Sequence, residues 1–320
     1  MARDHGGNLD AAVARFGPGD WIDLSTGINR RPWPVPVLPD HAWRALPTAA
    51  DEARLIDVAA AYLRCPPDRV LPIAGASAAI QILPRVIAPG RAAVLTPSYN
   101  EHAASLRAAG WQVTAAPDIA AMEGADLAVV VNPNNPDGRE WSPAALTALA
   151  GRVGTLVVDE SFADPRPDLS LIPELPENAV VLRSFGKFWG LAGLRLGFAV
   201  ARPDLLAALR EAAGPWAVGG PALAIGAAAM VDTAWADAAV TYHAEAALNL
   251  DRLALRGGWR PVGGTHLFRL YDTPDARAAQ EALARAHVWT RRFPYSDRWL
   301  RLGIPGDRDE FDRLEAALRP

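Results

Sequence analysis

Ser184, Lys187 and Arg195 share one glycine-rich run, Ser184-Phe185-Gly186-Lys187-Phe188-Trp189-Gly190-Leu191-Ala192-Gly193-Leu194-Arg195. A lysine that attaches covalently to an aldehyde must first lose its proton, and desolvation by Phe185, Phe188 and Trp189 would disfavour its ammonium form. Bends at Gly186, Gly190 and Gly193 would return the Ser184 hydroxyl and the Arg195 guanidinium fork to one phosphate. A surface loop with an exposed lysine is the plainer alternative, but loops rarely gather two phenylalanines and a tryptophan without burying them. The set is suited to pyridoxal 5'-phosphate (PLP), with Lys187 as its covalent anchor.

Such a cofactor also needs a buried carboxylate to keep its pyridinium nitrogen protonated. Asp159 ends the apolar run Thr155-Leu156-Val157-Val158, which reads as a buried parallel strand, and ligands of α/β sheets collect at the carboxyl ends of strands. A second such run, Leu127–Val131, leads into Asn132-Pro133-Asn134-Asn135-Pro136-Asp137-Gly138. Alone that segment reads as a tight turn; between the other elements, Asn135 becomes a donor to the cofactor's ring oxygen. Gly75-Ala76-Ser77 follows the short strand Val70–Ile73 and opens an apolar stretch, where the free N–H groups of a helix start attract a phosphate.

The elements that must position these residues alternate. Strand candidates lie near 70–73, 92–96, 111–115, 127–131, 155–159, 179–183 and 196–200, with helical segments between them. The pattern predicts an α/β fold with a mostly parallel seven-stranded sheet between helices. Residues 221–256 are Ala-rich and helical in pattern, 265–270 alternate as a strand, and helices are expected near 276–286 and from about 307. These form a smaller α+β domain. The division expected is an N-terminal arm and linker over 1–40 contributing to the small domain and the active site, a large PLP-binding domain over 41–234 and a small domain over 235–320.

Half of the 320 residues are apolar, enough for a large core. The single cysteine, Cys65, permits no internal disulfide and has no metal-ligand neighbours, so no metal is expected and a reducing cytoplasm is implied. The start is polar and no apolar run approaches the ~18 residues of a membrane span. A net charge of −4 argues against nucleic acid as partner. It also requires that local arginines draw in an anionic substrate.

Gly75-Ala76-Ser77, Asn135-Pro136-Asp137-Gly138, Asp159, Ser184-x-x-Lys187 and Arg195 occur in the order and approximate spacing of the fold-type I PLP-dependent enzymes of the class I/II aminotransferase family, which the chain resembles over nearly its whole length. The resemblance implies that fold, PLP and a homodimer. It implies that Arg301, in Arg301-Leu302-Gly303, binds a substrate carboxylate. The opening His5-Gly6-Gly7-Asn8 and the segment reaching Asn29 are similar to the branch of the family that decarboxylates L-threonine O-3-phosphate to (R)-1-aminopropan-2-yl phosphate for the cobalamin nucleotide loop. His5, Gly6 and Asn29 are carried over as substrate contacts on that resemblance. Val288-Trp289-Thr290-Arg291-Arg292 resembles the segment offering an arginine to the substrate phosphate; Arg291 is preferred to Arg292.

Three positions depart from the family pattern. Phe162 stands where many members have a tyrosine bonding the ring oxygen, and Leu46 where many have a tyrosine reaching the neighbouring subunit. His102 occupies the place of an aromatic ring against the cofactor face, with Tyr99 as the fallback. Because decarboxylation and transamination need the same lysine, aspartate and phosphate cup, a histidinol-phosphate-type aminotransferase is the alternative, and a non-catalytic PLP-binding module a third reading. The N-terminal 40 residues leave no room for a basic helix-turn-helix.

Overall fold

The computed structural model describes residues 5–318. In chain order the elements are α1 (Leu9–Phe16), β1 (Ile22–Asp23), α2 (Asp40–Arg44), α3 (Ala49–Leu63), β2 (Val70–Ile73), α4 (Ala76–Val86), β3 (Arg91–Leu95), α5 (Asn100–Ala108), β4 (Gln112–Ala116) and β5 (Leu127–Val131). There follow α6 (Pro143–Ala150), β6 (Thr155–Asp159), β7 (Ala179–Ser184), α7 (Phe185–Phe188), β8 (Gly197–Val200), α8 (Pro203–Ala213), α9 (Gly220–Met230) and α10 (Thr233–Arg256). The chain closes with β9 (Arg260–Gly264), β10 (Phe268–Asp272), α11 (Ala276–Arg285), β11 (Val288–Trp289), β12 (Arg291–Phe293), β13 (Ser296–Gly303) and α12 (Arg308–Leu318). Two compact units emerge: residues 33–135 with 140–235, and residues 5–32 with 136–139 and 236–318.

The larger unit holds a seven-stranded sheet in the order β2-β8-β7-β6-β5-β3-β4. All pairings are parallel except those of β8, which runs antiparallel to both β2 and β7. Continuous apolar runs in β5 and β6 follow from burial on both faces. Val129 and Val157 pack with Leu106, Leu206 and Leu209 on one face, while Val130, Leu156 and Val158 pack with Leu146 and Leu149 on the other. Each such side chain contributes about 1.5–3 kcal/mol on burial. Helix starts are fixed locally: Thr48 and Asp51 form a reciprocal capping box at α3, and Ser142 caps α6.

The smaller unit carries the antiparallel sheet β12-β13-β10-β9 and the two-stranded β1-β11 pair. Its core joins Leu24, Leu250, Leu253, Tyr271, Leu283 and Leu300. The strand expected over 265–270 begins instead at Phe268. The Thr265 hydroxyl accepts from the Leu267 N–H at 3.0 Å, and the Thr265 N–H donates to the Phe268 carbonyl at 2.8 Å. This hydroxyl-closed turn competes successfully with strand extension, although the residues alternate. Among the described residues no single helix is long and apolar enough to cross a membrane.

His243 on α10 is 1% exposed, and among the described residues neither ring nitrogen has a hydrogen-bond partner. Burial, with the nearby charges of Arg31 and His266, holds its pKa down at about 4 against an ordinary 6.5. The unfolded chain therefore binds this proton first as pH falls, so stability is expected to decline from pH 6.5 toward 4, by roughly 3 kcal/mol at the acid end. Urea midpoints between pH 7 and 4 should show a shallower decline in His243→Leu than in the parent. Parallel curves would contradict the assignment.

Candidate active site

The larger unit gathers the residues expected at the cofactor around the carboxyl ends of β6 and β7. Gly75 caps α4 with φ +76°, and a Cβ there would lie 2.8 Å from Arg195 Nη2. The Arg195 guanidinium is thus laid over the start of α4, where the N–H groups of Ala76 and Ser77 begin the helix. Arg195 itself has left-handed backbone angles, φ 55° and ψ 51°, a conformation that non-glycine residues adopt at a cost and often where a side chain must be aimed. Ser184 ends β7 opposite Gly197. A Cβ on Gly197 would sit 2.5 Å from Ala76 N and 2.8 Å from the Arg183 carbonyl. Those obstacles are backbone, so Gly197→Ala is expected to displace the α4 start, cost about 1–3 kcal/mol and weaken PLP binding together with it. A urea midpoint and a PLP titration check both effects.

Lys187 lies on α7, half-buried, with Nζ 5.8 Å from the centre of the Phe162 ring. An apolar neighbour of its amine is therefore Phe162, which is 5% exposed. Phe185, Phe188 and Trp189, expected from sequence to desolvate the lysine, are buried in a ring stack among themselves that includes Trp235. They anchor the short helix that carries Lys187.

Asp159, the last residue of β6, is 2% exposed. Oδ2 lies 2.8 Å from His102 Nε2, while Oδ1 accepts from the Ser161 hydroxyl and, at 3.0 Å, from the Ser161 N–H. Burial alone would raise its pKa, but the bonds from His102 and Ser161 outweigh burial and hold the carboxyl below the ordinary range. The expectation that His102 stacks on the cofactor face is thereby corrected: the imidazole is spent on Asp159. Tyr99 stands one helical turn away, its ring edge-on to His102, and its hydroxyl bonds to the Ser77 side chain. Burial, reinforced by Glu101 and Asp159, pushes that phenol up to about 12, so it stays protonated. In the loop after β5, Asn132 bonds to Trp141 and Leu169, and Asn134 to Ser98 and Pro97. These bonds tie the loop to the segments that follow β3 and β6; Asn135 follows, half-buried.

In the smaller unit a cavity of about 310 Å³ is lined by His5, Arg15, Ser25, Thr290, Arg291 and Arg292, among others. Arg291 and Arg301 are direct cross-strand partners on β12 and β13. Like charges in that relation repel, and burial together with Arg291 brings the Arg301 pKa down to about 10. Two guanidiniums so placed favour an anion. Arg292 Nε donates to Gln280 Oε1 at 2.7 Å, which commits part of its fork. Asn29 is 2% exposed and its Oδ1 accepts from the Arg31 N–H at 2.7 Å; it is not in the cavity wall. Gly6 is in that wall.

Sequence reasoning missed Ser161 and Ser25, and misread His102. The spacing of Tyr99 and His102, one turn apart on one helix face, was the available signal for the last.

The aminotransferase class I and II family model matches residues 38–318. A threonine-phosphate decarboxylase of Sinorhizobium sp. is 45% identical over 98% of this chain and 97% of its own length. One from Pseudomonas aeruginosa is 42% identical with the same coverage. The solved histidinol-phosphate aminotransferase of Sinorhizobium meliloti, in complex with pyridoxal 5'-phosphate, superposes with a TM-score of 0.80 at 19% identity, over 97% of this chain and 92% of its own. The chain belongs to the class I and II aminotransferase family.

Proposed function

We propose that this protein is a PLP-dependent decarboxylase of L-threonine O-3-phosphate, releasing carbon dioxide and (R)-1-aminopropan-2-yl phosphate, the amino-alcohol linker of the cobalamin nucleotide loop. The observation that carries the reading is the cavity walled by His5 and Arg291, beside Arg301. It suits a substrate with both a phosphate and a carboxylate. The 45% and 42% identities to threonine-phosphate decarboxylases, over nearly the whole chain, support decarboxylation over transamination.

The larger unit fits PLP on its own geometry. Gly75 leaves room for the Arg195 fork above the start of α4, and Asp159 is a buried, ionised carboxylate. When bound, the cofactor supplies an electron sink for whichever Cα bond stands perpendicular to its ring. The chain's residues do the rest. Lys187 holds the cofactor through Nζ and later returns a proton to the carbon that has lost its carboxylate. Asp159, fixed by His102 and Ser161, keeps the ring nitrogen protonated. Gly75, Ala76, Ser77, Ser184 and Arg195 hold the cofactor phosphate, Asn135 its ring oxygen, and Tyr99 covers its face. His5, Gly6 and Arg291 hold the substrate phosphate, and Arg301 the carboxylate before it leaves; Asn29, outside the cavity wall, acts on the arm through the Arg31 N–H. Fixing both anions decides which Cα bond is activated.

We further propose a cytoplasmic homodimer. Val37, Trp43, Leu46 and Trp216 of the larger unit are all more than half exposed, an apolar surface that suits a second copy. Purified protein loaded with PLP should release carbon dioxide from L-threonine O-3-phosphate with no keto acid present. Glutamate formed from histidinol phosphate and 2-oxoglutarate, without carbon dioxide release, would instead establish the aminotransferase.

A further inference from the structure

Within the smaller unit, one buried residue meets the N-terminal arm on one side and the carboxylate-binding arginine on the other. The Ser25 hydroxyl oxygen accepts from the Gly7 N–H at 2.7 Å and donates to Asp23 Oδ1 at 2.6 Å. The Ser25 N–H donates to the same Asp23 oxygen at 2.9 Å. The Ser25 carbonyl accepts from Arg301 Nη2 at 2.8 Å. Ser25 is 1% and Arg301 6% exposed.

The direction of these bonds is fixed by chemistry. A hydroxyl has one proton, and a carboxylate can only accept. The Ser25 proton therefore goes to Asp23, and one of the oxygen's lone pairs faces the Gly7 N–H. The arm also lies too close for any side chain at the contact, since a Cβ on Gly6 would sit 2.3 Å from the Ser25 carbonyl oxygen. Glycine at position 6 is thus what lets the arm dock, and the Ser25 hydroxyl is what holds it. Beside this joint, His5 and Ser25 line the same cavity as Arg291.

We propose that Ser25 is a positioning residue that latches the N-terminal arm to the Arg301 strand, so that His5 is presented to the substrate phosphate by the same residue that orients the carboxylate-binding guanidinium. This rests on the decarboxylase reading for the identity of the two anions. The latch itself rests only on the bonds above. A phosphorylated amino acid then binds as one rigid unit: His5 and Arg291 hold the phosphate, and Ser25 keeps Arg301 in register with them.

Ser25→Ala removes the hydroxyl and leaves every proposed substrate ligand in place. In the PLP-loaded enzyme, amide hydrogen exchange at residues 6–8, followed by NMR, is expected to accelerate by about tenfold, the loss appropriate to a hydrogen bond in a charge-assisted pair. KM for L-threonine O-3-phosphate should rise by a similar factor, with kcat and PLP affinity within about twofold. Gly6→Ala blocks the same docking from the other side, so the double variant should be no worse than the worse single one. Unchanged exchange in Ser25→Ala would overturn the latch. Faster exchange with unchanged KM would overturn its coupling to the substrate, and additive effects in the double variant would show that the two changes do not act on one joint. A parent enzyme releasing no carbon dioxide would defeat the activity reading instead, and arm exchange alone would then decide the latch.

Discussion

Lys187→Ala is expected to reduce turnover by on the order of 10⁴-fold, because one change removes both the covalent attachment and the group that moves the proton at Cα. The variant should still bind PLP, since Gly75, Ala76, Ser77, Ser184 and Arg195 are untouched. Its near-visible absorbance should become that of the unattached aldehyde. Borohydride treatment followed by mass spectrometry gives the second readout: the parent should carry the reduced cofactor on the peptide containing Lys187, and the variant should carry none. Lys187 is the only lysine of the chain, so a parent that carries no reduced cofactor on that peptide would remove Lys187 from its role, and with it the reason for the buried ring stack beneath α7.

Arg291→Ala is the second large effect. A charge-assisted fork to phosphate contributes about 1.5–3 kcal/mol, so KM for the phosphorylated substrate should rise by roughly 10- to 150-fold, while PLP affinity stays within about twofold. A further consequence has the opposite sign. Arg291 faces Arg301 across β12 and β13, and its charge helps to lower the Arg301 pKa. Its removal should therefore stabilise the substrate-free protein slightly, by about 0.2–1 kcal/mol. Weaker binding with a higher melting temperature is the signature of a site that stores repulsion for an anion to relieve. Weaker binding of substrate and PLP in equal measure would move Arg291 out of the substrate site.

Much of this architecture was legible in the sequence, for local reasons. Asp159 ends a run of apolar residues that only a doubly covered strand tolerates, and the Lys187 run combines glycines, aromatics and charge in a way few loops need. What stayed hidden are the pairs that tertiary folding makes. His102 and Asp159 are 57 residues apart, and Ser25 and Arg301 are separated by 276; no periodicity connects them. Position was readable for His102 but orientation was not, because an imidazole can stack or bond, and Asp159 decided the matter. The aromatic surroundings of Lys187 were only partly legible for a related reason: adjacency in sequence pointed to Phe185, Phe188 and Trp189, which pack in a buried ring stack, whereas Phe162, from another strand end, also reaches the amine. At 265–270 the alternation was real, but the Thr265 hydroxyl closed a turn first.

The most direct test of the central claim is the fate of the Cα bonds. L-threonine O-3-phosphate should be turned over in deuterium oxide by the PLP-loaded enzyme, and the products followed by mass spectrometry and carbon dioxide release. The account predicts carbon dioxide and aminopropanol phosphate in equal amounts, with one solvent deuterium on the carbon that lost its carboxylate. A substrate that keeps its carboxylate while exchanging its Cα hydrogen, or that yields a keto acid, would contradict it.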